Sequence, residues 1–187
     1  MKYAIAALCL TVSAAHADQY TDVMTSFAND KAKAWTASPA IVDAIRAQNQ
    51  RHAGLSQEQI DEMDRKWRSE VGMSDRPTVD PVLNNPASDT LRNLIAGSAG
   101  VVTEVFVMDS NGLNVAASDA TSDYWQGDEA KFSETYGKGA GAVHIGDIEF
   151  DESTQTYQGQ VSLPIADPDS GALIGAMTVG LNAEMLF

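Results

Sequence analysis

Thr121 to Glu129, TSDYWQGDE, gathers the densest set of chemistry-capable side chains in the sequence. Tyr124 and Trp125 are adjacent aromatics in a polar stretch, able to wall a pocket and to offer a hydroxyl and an indole N–H to a carboxylate. Neighbours in an extended segment point opposite ways, so one of the two is expected to face a pocket centre and the other to pack. Asp119, Asp123, Asp128 and Glu129 surround them; these carboxylates suit a ligand ammonium or a solvated acidic rim, with Asp128 and Glu129 also fitted to a helix N-terminus. Tyr136 is a second candidate wall, or core packing. Ser118 and Phe106 lie at the mouth of the same region and complete the candidate ligand-binding set with Tyr124, Trp125, Asp123 and Tyr136.

Catalysis and metal binding find little support. Ser118 and Ser122 have no nucleophile-elbow residues around them, and the sole cysteine, Cys9, lies in an N-terminal apolar run. His52 and His144 are far apart, and neither has a second nitrogen, sulfur or carboxylate at metal-ligand spacing. His144, on an expected strand, reads as structural. Asp109-x-Asn111-x-x-Asn114 is not a calcium loop: Gly112 is misplaced and no glutamate closes it. The carboxylates are many, but no spacing singles out an acid–base couple, and Gly139 and Gly141 lack a phosphate-loop pattern. No catalytic residue, metal or cofactor is expected, and the chain is read as a non-enzyme. Arg92 is a possible carboxylate clamp, with a surface ion pair to Asp89 as the favoured reading.

The elements that must position these residues follow from pattern. Residues 1–17 read as a cleavable leader: Lys2, the apolar run Ala4 to Val12, then Ala15-His16-Ala17, with Asp18 as the first mature residue. The run is too short to span a bilayer, which takes about 20 residues. Residues 18–100 read as helical. Gln19–Thr36 carries Val23, Phe27, Ala34 and Trp35 on one face; Ser38-Pro39 restarts the helix through Ile45 to about Gln50. Ser56-x-x-Gln59 is a capping box opening a helix with Ile60, Met63, Trp67 and Val71 on a stripe and an Asp61–Arg65 pair. Prolines 77, 81 and 86 mark irregular chain, and Ser88–Ala96 is a further helix.

Residues 101–187 read as sheet. Val105–Met108 and Leu113–Ala117 flank a turn set by Asp109 and Gly112. A short crossover helix (Gly127–Tyr136) precedes three strands, Ala142–Phe150, Thr156–Ala166 and Ala172–Leu181, the last two joined by DPDSG. The expectation is an α+β fold: long N-terminal helices, then a five-stranded antiparallel sheet of order 2-1-5-4-3 with a crossover helix.

With 12 basic residues against 26 acidic ones and a formal net charge of −14, the chain repels nucleic acid and anionic lipid. No second apolar segment is long enough for a membrane span, so direct membrane insertion is not expected, and a periplasmic or secreted location is.

Three stretches in order, VFVMDSNGLNVAAS, TSDYWQGDEAKF and VSLPIADPDSGALIGAMTVGLN, resemble the Cache family, the PAS-like extracytoplasmic sensor domains also called PDC domains, over about Ala40 to Leu186. The resemblance implies a single domain that holds a small organic acid, amino acid or amine between the sheet and the crossover loop and helix. It departs from the family plan in having no membrane helix after residue 17 and no output segment. A stand-alone sensor reporting to a separate membrane receptor or sensor kinase is therefore expected, with a structural or adaptor protein whose pocket is self-filled as the alternative.

Overall fold

A computed structural model describes residues 14–151 and 156–187. Most of the expected leader, residues 1–13, lies outside them. The first helix, α1 (Ala14–Phe27), runs into a π-helical turn (Ala28–Ala32) and then α2 (Lys33–Trp35). Its inward line is Met24, Ala28 and Ala32, all fully buried, whereas the expected face member Ala34 is exposed. The reason lies on the sheet. Gly159 has no side chain, and a Cβ there would come within 2.5 Å of the Met24 Cε. The small-residue face can approach closest, while Phe27 and Trp35 pack edge-to-face beside it with centroids 5.7 Å apart.

Helix α3 (Pro39–Arg51) starts at its proline, as expected, but Ser38 gives it no side-chain cap. It buries Ile41, Val42 and Ile45. Helix α4 (Gln57–Glu70) opens on the expected capping box, with both reciprocal bonds between Ser56 and Gln59 formed. Its charge pairing differs from expectation: Arg65 reaches Glu62 at 3.5 Å, while Asp61 accepts from Gln57. The stretch expected to be irregular contains a short helix, α5 (Val79–Leu83). Helix α6 (Pro86–Ala96) begins before Ser88, because Asn85 caps the backbone of Ser88 at 3.0 Å and Pro86 occupies the first turn.

The sheet follows: β1 (Val102–Met108), β2 (Asn114–Ala117), the crossover helix α7 (Ala130–Ser133), β3 (His144–Ile145), β4 (Glu149–Asp151), β5 (Thr156–Ala166) and β6 (Leu173–Asn182), with a 3₁₀ turn at Ala183–Met185. The strand path is β2-β1-β6-β5-β3, antiparallel throughout, with β4 also on β5. The expected five strands become six pieces because the third divides at Gly146, whose N–H bonds Gln160 before the chain leaves the ladder.

Strand alternation sorts two cores. On one face Val105, Val107, Val161, Leu163, Met177 and Val179 meet α1, α3 and α6. On the other, Phe106, Met108 and Ala176 meet Trp67 of α4, Val79 and Val82 of α5, and Tyr124 and Phe132 of the crossover segment. No helix among the described residues is long and apolar enough to cross a membrane.

Candidate functional site: a polar sheet face beneath the crossover helix

The second face turns polar toward β5. Pairing registers place Phe106, Thr178, Ser162 and His144 in one row across four strands. Ser162 and Thr178 are fully buried and satisfy each other through hydroxyls 2.9 Å apart. The next row holds Glu104, Gly180 and Gln160. Glu104 accepts from the Gln160 amide at 2.9 Å and the Gln158 amide at 3.3 Å, and Gln158 in turn accepts from the Thr103 hydroxyl at 2.6 Å. A Cβ on Gly180 would approach Glu104 Cγ at 2.6 Å and Gln158 Oε1 at 3.0 Å, so the glycine makes room for this cross-strand network.

Helix α7 overhangs these rows. Lys131 puts Nζ 5.5 Å from the centre of the Phe106 ring and binds Glu129 at 2.9 Å and Gln126 at 3.2 Å. A cation held over an aromatic face gains about 0.5–1 kcal/mol at such sites. Between helix and sheet opens a cleft of about 370 Å³, lined by Glu129, Lys131, His144, Asp147, Gln158 and Gln160, with Phe150 at its rim. Carboxylates, one ammonium, an imidazole and two carboxamides converge there. They can hydrogen-bond a small polar molecule from several sides, and no three of the His, Cys, Asp or Glu side chains among the described residues are grouped to hold a metal ion.

The residues singled out from sequence distribute otherwise. Phe106 is buried in the sheet under Lys131. Tyr124 is 4% exposed and stacks on Trp67, ring centroids 5.1 Å apart and planes 13° apart. Burial, and next the charge of Asp109, push its hydroxyl above the ordinary tyrosine pKa, so it stays a donor. Trp125 folds back on the β1–β2 turn, its indole N–H on the Asn111 carbonyl at 2.9 Å. The backbone N–H groups of Tyr124 and Trp125 both donate to Asp64 of α4, at 2.9 and 3.1 Å. Asp123 pairs with Arg68 at 3.1 Å, and Arg68 also holds Asp64 at 2.7 Å. Ser118 closes the β1–β2 ladder through its hydroxyl and N–H, both on Val105. Tyr136 stacks on Phe132 at 5.0 Å. Arg92 forms the expected surface pair with Asp89 at 2.6 Å and reaches the Leu83 carbonyl.

The cleft residues Lys131, His144, Gln158 and Gln160 were not singled out from sequence as a ligand set. A signal for two of them exists: Gln158, Gln160 and Ser162 alternate with Val161 and Leu163, the pattern of a strand with one polar face.

No protein-family model and no curated protein matches the chain. Solved structures do. The extracellular domain of vpHK1S-Z8, a protein described as a histidine kinase, superposes with a TM-score of 0.50 at 12% identity over 90% of this chain and 55% of that one. The ligand-binding domain of the Campylobacter jejuni chemoreceptor Tlp3, in complex with 4-methylisoleucine, gives 0.43 at 15% identity over 89% and 61%. The sensor domain of the V. cholerae histidine kinase DctB gives 0.41 at 12% identity over 90% and 59%. Of these three, only the first reaches 0.50. The chain spans about three-fifths of the length of the first solved structures it matches, 61% and 59%. At 12% identity, the likeness to the vpHK1S-Z8 extracellular domain shows a shared fold.

Proposed function

We propose that the chain is an exported sensor domain that binds a small organic acid, amino acid or amine and passes its occupancy to a separate signalling partner, a membrane receptor or sensor kinase. The observation that carries this reading is the polar sheet face. Burying Ser162, Thr178 and Gln158 where apolar side chains would stabilise more has a desolvation cost that a purely structural sheet avoids. Acidic, basic and amide groups stand together there in a cleft about 370 Å³ in volume. The leader pattern and the acidic balance support export and the absence of nucleic-acid partners.

A thermal-shift screen of small carboxylates, amino acids and amines tests it. A ligand that binds only the folded state raises the melting temperature, by about 2.7 kcal/mol of stability at a hundredfold excess over Kd. Lys131→Met and Gln160→Leu are expected to abolish the shift while the unliganded melting temperature moves little, since both side chains are partly exposed. A hit that both variants retain would place the ligand elsewhere.

A second reading, a structural or adaptor protein with a self-filled pocket, draws on one feature. The Trp67–Tyr124 stack and the two bonds to Asp64 fill the space beside residues 121–126 with the protein's own groups. A broad library without a single stabilising compound would favour it.

A further inference from the structure

We propose that the ligand of the sheet-face cleft is a small organic amine of net positive charge, a step that rests on reading that cleft as the sensor's ligand site. Three carboxylates line the cleft, those of Glu129, Asp147 and Glu149, against one ammonium, that of Lys131, and no guanidinium.

The charge left unpaired there is negative. Lys131 is committed to Glu129 at 2.9 Å and to the Gln126 amide oxygen at 3.2 Å, with the Phe106 ring centre 5.5 Å from Nζ. It acts as the anchor of the roof, holding Glu129 and Gln126 in place, and in that role its loss empties the cleft. Gln158 and Gln160 each turn an amide N–H to Glu104, at 3.3 and 2.9 Å. The carboxylates of Asp147 and Glu149, by contrast, have neither an ion pair nor a hydrogen bond among the described residues. Both face the cleft, because Ile148 between them packs into the core on the other side of the sheet. No unshared positive charge remains for a carboxylate ligand, which would instead meet these two like charges. A cleft walled by one sign of charge focuses its field and concentrates the opposite sign.

A second observation points the same way. Phe150 lines the cleft mouth and is 49% exposed, held by Tyr157 edge-on with ring centroids 5.4 Å apart. An aromatic face beside carboxylates suits an organic ammonium: the carboxylates take its N–H groups and the ring its polarised alkyl carbons. A bare metal ion has no set of three His, Cys, Asp or Glu side chains to hold it among the described residues. The cleft's volume of about 370 Å³ limits the amine to a small one.

Calorimetric titration of the full-length chain at pH 7 and fixed ionic strength tests this with three four-carbon compounds of similar length: 1,4-diaminobutane, 4-aminobutyrate and succinate. Saturable binding is expected for the diamine, weaker binding for the zwitterion and none for the dianion. Asp147→Asn combined with Glu149→Gln is expected to weaken diamine binding about tenfold or more, with the melting temperature unchanged because both side chains are exposed. Asp75→Asn combined with Glu184→Gln removes the same charge at two exposed carboxylates outside the cleft and is expected to leave binding intact, which separates a site from general attraction to an acidic chain. Phe150→Leu is expected to weaken binding several-fold. No saturable binding of the diamine, equal or tighter binding of 4-aminobutyrate or succinate, or diamine binding that survives the Asp147/Glu149 pair of substitutions would overturn the inference. Acids or zwitterions that bind and are lost in Gln160→Leu would overturn the charge class alone and leave the cleft as the ligand site; a broad library with no ligand at all would overturn both.

Discussion

Asp109 links the first hairpin to the helical layer through four bonds. One carboxylate oxygen accepts the backbone N–H groups of Asn111 at 2.8 Å and Leu113 at 3.0 Å, which closes the turn. The other meets His52 Nδ1 at 2.8 Å and the Gln48 amide at 3.1 Å, both on or just after α3. The side chain is fully buried, so each of these partners matters. Asp109→Asn replaces one acceptor oxygen by an NH₂ that faces donors. We expect a loss of about 2–3 kcal/mol in urea unfolding with the m-value unchanged, the scale of a buried donor left unpaired. Gly112 completes the turn with φ of 80°, and a Cβ there would lie 2.5 Å from Gly127 Cα, so the turn also fixes where the aromatic loop passes.

At the scale of elements, α4 shows how a helix face is chosen. Its sequence reads as an apolar stripe through Ile60, Met63, Trp67 and Val71, but the residues it buries are Ile60, Asp64, Trp67 and Glu70. The two carboxylates are inside because they satisfy backbone N–H groups that lack other partners: Tyr124 and Trp125 for Asp64, Thr78 and Val79 for Glu70. Val71, beyond the last turn, is 37% exposed. The helix's start needs no such help, since the capping box is local. Ser56→Ala is expected to lower stability by about 1 kcal/mol and to speed amide exchange in the first turn of α4 while leaving the Trp67–Tyr124 stack in place. Hydrogen exchange followed by NMR reads both effects.

For the whole molecule, acid is the informative perturbation. Hydrogen bonds from Arg46 hold the Asp167 carboxyl well below the usual carboxylate range, helped by the backbone N–H groups of Ser170 and Asp169. For Glu70, burial pushes the carboxyl up, but bonds from the Thr78 hydroxyl and the Thr78 and Val79 N–H groups outweigh it, and the net shift is downward. A depressed folded-state pKa contributes stability that is present above the unfolded value, roughly 4, and lost as pH falls through the folded one. The melting temperature is therefore expected to be insensitive to these two groups from pH 7 to about 5 and to fall below about 4. Asp167→Asn should flatten that fall; an unchanged acid limb in this variant would remove the α3–β5 link from the account.

Local signals alone determined much of this protein. The capping box, Pro39 at a helix start, the Asp109–Gly112 turn and the DPDSG hairpin rest on residues a few positions apart, and all appear where the sequence puts them. The alternating runs also set the antiparallel sheet and the helix-before-sheet order. What the sequence left open depended on partners far along the chain. Tyr124 and Trp125 look ligand-ready in a polar loop, yet Trp67, 57 residues before Tyr124, stacks on the one, and the turn carbonyl of Asn111 takes the other. Which strand face is polar could be read from Gln158, Gln160 and Ser162. That Lys131 and His144 stand across it was decided only when β1, β6, β5 and β3 came into register and brought α7 over the rows they form, because cross-strand neighbours are fixed by pairing and not by spacing along the chain.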